Sequence, residues 1–167
     1  MKRTELKILP DRRSNEPKRC LVFRYRQGPA TLSDIPEAVV LGIQVLTRIA
    51  VELRRNHYEV SEPSTGKKSF GITWMKCRAG TEELGISAWP PEDGDEWQIR
   101  TRWSRRAKPL HEITQSELVA WDAIRSILND VVATLEGARD LRWLSLQEAE
   151  DALGSAQLRK QISSRHG

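Results

Sequence analysis

The sequence predicts an α+β fold, a two-layer sandwich in which two long helices cover one face of an antiparallel sheet. A chain of 167 residues is long enough for one hydrophobic core and short for two. Apolar residues recur with helical spacing in two long segments, and three segments between them alternate with a period of two. Short connections between those three segments indicate an antiparallel meander. The predicted order is β-α-β-β-β-α-α.

The first two elements are a strand and a long helix. Residues 19–26 combine β-branched and aromatic side chains and end at a Gly-Pro pair, which is typical of a strand. Asp34 with Glu37 three residues later forms a capping box, and apolar residues then repeat at helical spacing. This pattern predicts a helix over 35–56.

The period of two after the helix predicts strands over 70–78, 83–89 and 96–103. Alternation assigns one set of side chains to the helix-covered face of the sheet. That set is Leu21, Phe23, Tyr25, Phe70, Ile72, Trp74, Leu84, Ile86, Ala88, Trp97, Ile99, Thr101 and Trp103. The opposite set includes Thr73, Met75 and Cys77, which we therefore expect on the outer face.

Two helices are predicted after the meander. Thr114 with Glu117 caps a long amphipathic helix over 115–136, and Ser145 with Glu148 caps a shorter one over 146–153. We expect one core that buries side chains of both long helices with the tryptophans of the sheet. The side chains expected in it are Trp74, Trp97, Trp103, Leu41, Ile49, Trp121 and Leu128.

Charge is unevenly distributed along the chain. The formal net charge is +4, yet residues 1–26 hold nine basic and three acidic side chains, so this segment alone is +6 and the remainder is −2. We interpret residues 1–18 as a basic, partly flexible N-terminal arm, 19–154 as a single α+β domain, and 155–167 as a polar C-terminal tail. A basic arm attracts polyanions locally.

The cysteines and the apolar runs bear on location. Cys20 and Cys77 are too few for a disulfide scaffold, and we interpret them as reduced thiols. No apolar run has the length of a membrane span, and no hydrophobic signal segment follows the first residues. A cytoplasmic protein without membrane contact is expected.

The outer face of the predicted sheet is the candidate binding surface. It combines Arg24, Arg26, Arg100 and Arg102 with Trp89 and Ser87. Antiparallel sheets commonly leave one face polar, so a solvated surface with no dedicated ligand is the simplest alternative. The functional interpretation is a docking surface, because interface cores favour Trp and Arg and phosphate binding favours Arg.

Catalytic and metal patterns are weak in this sequence. Residues 64–69 contain Gly66-Lys67 but lack the earlier glycine of a phosphate loop. The acidic hairpin 92–96 misses the spacing of a calcium loop, and nothing indicates that the histidines and cysteines converge. We therefore expect no enzyme activity, no cofactor and no metal site.

These observations favour a small cytosolic, non-catalytic binding protein that docks another macromolecule. The leading hypothesis is an acidic protein partner, in the manner of an inhibitor, immunity protein or adaptor, because arginine and tryptophan mark the predicted surface. The alternative is nucleic-acid binding through the basic arm and the arginine-rich sheet face. Metal-dependent hydrolysis at the acidic hairpin is the third hypothesis. The oligomeric state stays open.

Overall fold

A computed structural model describes residues 18–25, 35–66, 71–79, 82–91, 95–103 and 115–151 of the chain. Two long helices and seven strands lie in these segments. The helices are α1 (Ile35–Arg55) and α2 (Gln115–Thr134). The strands are β1 (Cys20–Arg24), β2 (Glu59–Val60), β3 (Ser64–Thr65), β4 (Thr73–Ala79), β5 (Glu82–Trp89), β6 (Glu96–Trp103) and β7 (Arg139–Leu144). Residues 146–151 are also helical.

All seven strands form one antiparallel sheet, so the predicted α+β class is confirmed. The sheet order is β2-β4-β5-β6-β1-β7, and β3 also pairs with β4. The predicted meander is β4, β5 and β6, while β1 lies beside β6 and pairs with it antiparallel. The helices connect distant strands: α1 follows β1, and α2 follows β6.

One core joins both helices to the same face of the sheet. Leu21 and Phe23 of β1, Trp97 and Ile99 of β6, and both helices contribute fully or almost fully buried side chains to a single cluster. Tyr25, Leu84, Ile86 and Ala88 lie in the same cluster, as alternation predicts. Leu41 is partly buried against it. The two long helices therefore do not cover the second face of the sheet.

Trp121 fixes α2 to the sheet. It is only 1% exposed, and its indole Nε1 donates to Thr101 Oγ1 on β6 at 3.0 Å. Thr101 Oγ1 in turn donates to the carbonyl oxygen of Arg19 at 3.0 Å. A helix, an inner strand and the start of β1 are thus joined through one buried hydroxyl group.

The predicted register of β4 is wrong by one residue. Thr73, Met75 and Cys77 are buried against the helices, whereas Trp74 is 39% exposed on the opposite face. The physical reason is a close approach of α1: a Cβ at Gly42 would lie 2.6 Å from Thr73 Oγ1. The inner face has no space for an indole ring at this position. The observed register also places Lys76, which shares the face of Trp74, in solvent.

Gly42→Ala is expected to destabilise the protein by about 1–2 kcal/mol, since overpacking a core costs more than the improved helix propensity gains. The clashing atom, Thr73 Oγ1, is buried without a hydrogen-bond partner. Gly42→Ala should therefore leave the free energy of unfolding nearly unchanged in a protein that also carries Thr73→Ala. Urea unfolding of the wild type, the two single variants and the double variant measures this coupling. Stabilisation by Gly42→Ala alone would contradict the close approach.

Strand β7 completes one edge of the sheet and was not predicted from the sequence, whereas the short helix that begins at residue 146 was. No strand was expected over 139–144, yet β7 pairs antiparallel with β1. Its register shifts near Val22, and Asp140 has a φ of 56°, so a regular period of two is absent. Irregular alternation removes the signal by which strands are recognised.

Several predicted features lie outside the described residues. These are the capping residues Asp34 and Thr114, the inward residue Phe70, and the side chain of Trp103, together with residues 1–17 of the arm and the tail 155–167. Neither α1 nor α2, nor any other helix in the described part of the chain, has the length and apolar character that crossing a bilayer requires.

Candidate functional site

The outward side of the three central strands forms a continuous surface, which we call the open face. Alternation and strand pairing place ten residues on it. They are Trp74, Lys76 and Arg78 of β4, Glu83, Gly85, Ser87 and Trp89 of β5, and Gln98, Arg100 and Arg102 of β6. Both long helices lie on the other side of the sheet, so they leave this surface uncovered.

Arg100 is held in a fixed orientation on the open face. Its guanidinium carbon lies 3.9 Å from the centroid of the Trp89 ring, and its Nε donates to Gln98 Oε1 at 3.0 Å. Stacking and the hydrogen bond together restrict the plane of the guanidinium group. The guanidinium group also acts on Cys20, whose raised pKa it partly offsets through its charge and a side-chain hydrogen bond.

Trp89 is fixed as well. Its indole Nε1 donates to Ser87 Oγ at 2.9 Å, two residues earlier on the same strand. Ser87 pairs in register with Arg100 on one side and Trp74 on the other. The predicted residues Ser87, Trp89 and Arg100 therefore lie together, as an assembled cluster with defined hydrogen bonds.

The next cross-strand row carries two cations around a glycine. Lys76 pairs in register with Gly85, and Gly85 pairs with Arg102. Lys76 and Arg102 are both exposed, and Gly85 contributes no side chain between them. This row therefore has two positive charges with no side chain between them.

Positive charge exceeds negative charge on the open face, where Lys76, Arg78, Arg100 and Arg102 stand against Glu83. Arg78 lies 3.8 Å from a carboxylate oxygen of Glu59. Within the described segments, no ion pair joins Lys76, Arg100 or Arg102 to a carboxylate. A basic surface of this kind attracts acidic partners and steers their approach.

The predicted arginine Arg24 of β1 is not part of this cluster. Arg24 lies near the far end of β1, where its Nε is 3.6 Å from a carboxylate oxygen of Asp140. Between Arg24 and Arg100 the outer side of β1 presents Val22 and Cys20, which are buried. Arg26 lies outside the described residues. Arg24 pairs in register with Glu96 at the start of β6, so the structure separates it from Ser87, Trp89 and Arg100.

A C-terminal segment covers the outer side of β1. Ala149 packs on Cys20 and Val22, with Leu144 beside them. The predicted capping box is confirmed, because Glu148 N donates to Ser145 Oγ at 3.1 Å and Ser145 N donates to Glu148 Oε1 at 3.3 Å. Lys18 Nζ also donates to Glu148 Oε1. This cover limits the open face to β4, β5 and β6.

The hydrogen bonds from Lys18 and then from the backbone of Ser145 lower the pKa of the Glu148 carboxyl group. A carboxyl group whose pKa is lowered in the folded state stabilises that state above its ordinary pKa. This contribution is lost as the pH falls through the lowered value. The attachment of the C-terminal segment is therefore weakest in acid.

Burial makes the two thiols unreactive. It raises the pKa of Cys20 from 9.0 to about 11, an effect that Arg100 partly opposes, and raises the pKa of Cys77 from 9.0 to about 11. The folded protein therefore binds more protons than the unfolded chain between these values, and the free energy of unfolding should fall as the pH rises from about 9 to about 11.

Alkylation by iodoacetamide at pH 8 should accordingly be slow for both cysteines in the folded protein and fast in denaturant, since only the thiolate reacts. Mass spectrometry of each cysteine-containing peptide over time measures this. Rapid labelling of Cys20 in the folded protein would contradict its burial under Ala149.

A groove lies between α2 and β7, away from the open face. Its volume is about 310 Å³, and it is lined by Asp122, Arg125, Ser126, Asn129 and Trp143. Arg125 lies 5.6 Å from the Trp121 ring centroid and 5.8 Å from that of Trp143, and it also donates to Lys18 O and to Asp122. Its guanidinium group is therefore engaged within the fold.

The acidic hairpin contributes to ion pairs at its end. Asp95 lies 3.2 Å from Arg139 Nη2, and Glu96 lies 2.8 Å from Arg142 Nη2. Residues 92–94 lie outside the described part of the chain. In the segments that are described, no group of three or more His, Cys, Asp or Glu side chains could hold a metal ion.

Comparison with family models, curated proteins and solved structures gives no match for this chain. The site must therefore be interpreted from its own geometry. Five residues of the open face were not predicted on it from the sequence: Trp74, Lys76, Arg78, Glu83 and Gly85. The charged side chains of β4 were a signal for the placement of Trp74 and Lys76. Lys76 and Arg78 lie on the same face of the strand as Trp74, so the predicted register would bury both charges with the indole ring.

Proposed function

We propose that this chain is a cytosolic, non-catalytic binding protein that docks an acidic protein partner on the open face. The observation that carries the proposal is the Arg100 guanidinium, which stacks on Trp89, donates to Gln98 and forms no ion pair with a carboxylate among the described residues. A preorganised arginine of this kind loses little conformational entropy when it binds a carboxylate. Inhibitor, immunity and adaptor proteins are the classes in which such a surface acts without chemistry.

Aromatic surface next to the arginine supports a protein partner. Trp74 is 39% exposed beside Ser87, so the face offers apolar area together with excess positive charge. Tryptophan and arginine are the residue types most enriched among the dominant contacts of protein interfaces. The buried, high-pKa thiols are consistent with a reducing compartment.

Nucleic-acid binding is the second candidate, and one observation favours it. Two tryptophans of the open face lie diagonally on neighbouring strands near Lys76 and Arg102, and single-stranded nucleic acids bind to aromatic side chains within basic grooves. Phosphate contacts would make the affinity fall steeply with salt, with a logarithmic slope of about 0.7 for each neutralised phosphate of a single strand.

Capture from cells of the source organism separates the two candidates. Immobilised wild-type protein is compared with the double variant Arg100→Ala with Arg102→Ala, after half of each lysate has been treated with nuclease. The control variant, Arg48→Ala with Arg55→Ala, removes the same charge from the exposed surface of α1.

A docking function predicts a protein that the wild type and the control variant retain after nuclease treatment and that the open-face variant loses. Binding that disappears after nuclease treatment would favour the nucleic-acid candidate. Identical material bound by all three proteins would contradict both, because no ligand would then depend on the open face.

A further inference from the structure

We propose that Gly85 forms a slot in which a carboxylate side chain of the partner lies between Lys76 and Arg102. This inference rests on the proposed function and deepens it, since it assigns a specific subsite on the open face. The partner feature that the slot would take is an aspartate or glutamate side chain of an acidic protein segment.

The first argument is that the fold does not require a glycine at this position. A Cβ at Gly85 would meet only the carbonyl oxygen of Arg102, at 3.5 Å, which is an ordinary van der Waals contact. The residue also lies outside the left-handed region that favours glycine, in contrast to Gly71 and Gly137. A Cβ atom at this position would therefore be accommodated in β5.

The second argument is that glycine is unfavourable in the middle of a strand. It gives up more conformational entropy on folding than any other residue and offers no side chain to pack. In a strand interior it frequently marks a position where a ligand or another backbone approaches closely. The nearest such approach available at Gly85 is from the outer side, because the helices lie on the opposite face.

The third argument is charge complementarity. Lys76 and Arg102 border Gly85 on the two neighbouring strands, and neither is paired with a carboxylate among the described residues. Arg100 lies two residues from Arg102 on the same strand and face and likewise has no carboxylate partner among the described residues. Lys76, Arg100 and Arg102 thus place positive charge around a position without a side chain, with Glu83 two residues away on the same strand, and a partner carboxylate there would contact the sheet surface directly.

The experiment uses the full chain, labelled with nitrogen-15, and a short poly-L-glutamate peptide as the probe at low ionic strength. Amide shift changes should be largest at Gly85 and its neighbours in β4 and β6. Gly85→Val should weaken peptide binding at least about tenfold, since its methyl groups fill the slot. Gly85→Ala should weaken binding less.

Stability distinguishes this proposal from simple damage to the fold. The urea midpoints of Gly85→Ala and Gly85→Val should equal or exceed that of the wild type, because alanine and valine are better strand residues than glycine. Binding and stability would then change in opposite directions. Arg48→Ala, on the helical side, is the control that should leave peptide affinity within about twofold.

Several results would overturn the slot. Peptide binding that is equally tight in Gly85→Val, shift changes confined to the helical side, or no peptide binding at low salt would each do so. Tighter binding of an oligothymidylate of matched charge through the same amides would reassign the slot to nucleic acid. A captured partner protein that depends on Arg100 and Arg102 but not on Gly85 would refute the slot while leaving the docking face intact, whereas a partner that depends on none of them would refute both.

Discussion

Trp121→Ala is expected to lower the free energy of unfolding by about 3–5 kcal/mol, which is a large part of the stability of a domain of this size. The side chain is 1% exposed and packs between α2 and the sheet. Its removal leaves a cavity and deprives Thr101 Oγ1 of the donor at 3.0 Å. Urea unfolding followed by far-ultraviolet circular dichroism measures the loss.

Two further variants separate the contributions of Trp121. Trp121→Phe keeps most of the buried ring and removes the Nε1 donor, while Thr101 Oγ1 still donates to Arg19 O. The hydrogen bond should account for about 1 kcal/mol. Val119→Ala on the same helix is the matched control, since Val119 is 59% exposed and its loss should cost under about 0.5 kcal/mol. A cost for Trp121→Ala no larger than that of the control would contradict the packing of α2.

The double change Arg100→Ala with Arg102→Ala is expected to lower partner affinity by about 2 kcal/mol or more for each arginine, which is roughly 30-fold per residue. Arg100 is preorganised on Trp89 and Arg102 borders Gly85, so both lie in the centre of the proposed contact. Isothermal titration calorimetry with the purified captured partner measures this loss.

Folding should survive the double change. Arg102 is exposed, and Arg100 contributes one stacking contact and a hydrogen bond to Gln98, so the free energy of unfolding should fall by only about 1 kcal/mol. The variant with Arg48 and Arg55 replaced should bind as the wild type does. A double variant of the open face that keeps full affinity would exclude these arginines from the interface.

Much of the fold could be predicted because regular periodicity reports burial directly. The spacing in α1 and α2 and the alternation in β5 and β6 predict elements within a few residues of their observed bounds. The capping box of Ser145 and Glu148 is likewise a local signal, and both of its hydrogen bonds are present.

The errors arose where local pattern conflicts with long-range packing. In β4 the size of Trp74 suggested burial, but the inner face at Thr73 lies against Gly42, which is 31 positions away in sequence. Strand β7 is irregular and carries charge, and its place in the sheet depends on β1 at the other end of the domain. The cover over Cys20 and Val22 depends on the same distant pairing.

The candidate site was predicted only in part for a related reason. Ser87, Trp89 and Arg100 could be placed on one face by alternation along two neighbouring strands. The row of Lys76, Gly85 and Arg102 depends on the relative register of three strands, and a one-residue error in β4 removes Lys76 from it. Arg24 was included in the predicted surface because the sequence does not reveal the strand order. It also does not reveal that residues 146–151 cover the outer side of β1.

Site-specific photocrosslinking in cells of the source organism tests the central claim most directly. Trp74→p-benzoylphenylalanine places the crosslinker on the open face, and Val40→p-benzoylphenylalanine places it on α1, where Val40 is 54% exposed. The account predicts a nuclease-resistant protein adduct from position 74 and none from position 40. Excess wild-type protein, added as a competitor, should abolish this adduct. Excess of the Arg100→Ala, Arg102→Ala variant should not. An adduct from position 40 without one from position 74, or an adduct at position 74 that nuclease removes, would contradict it.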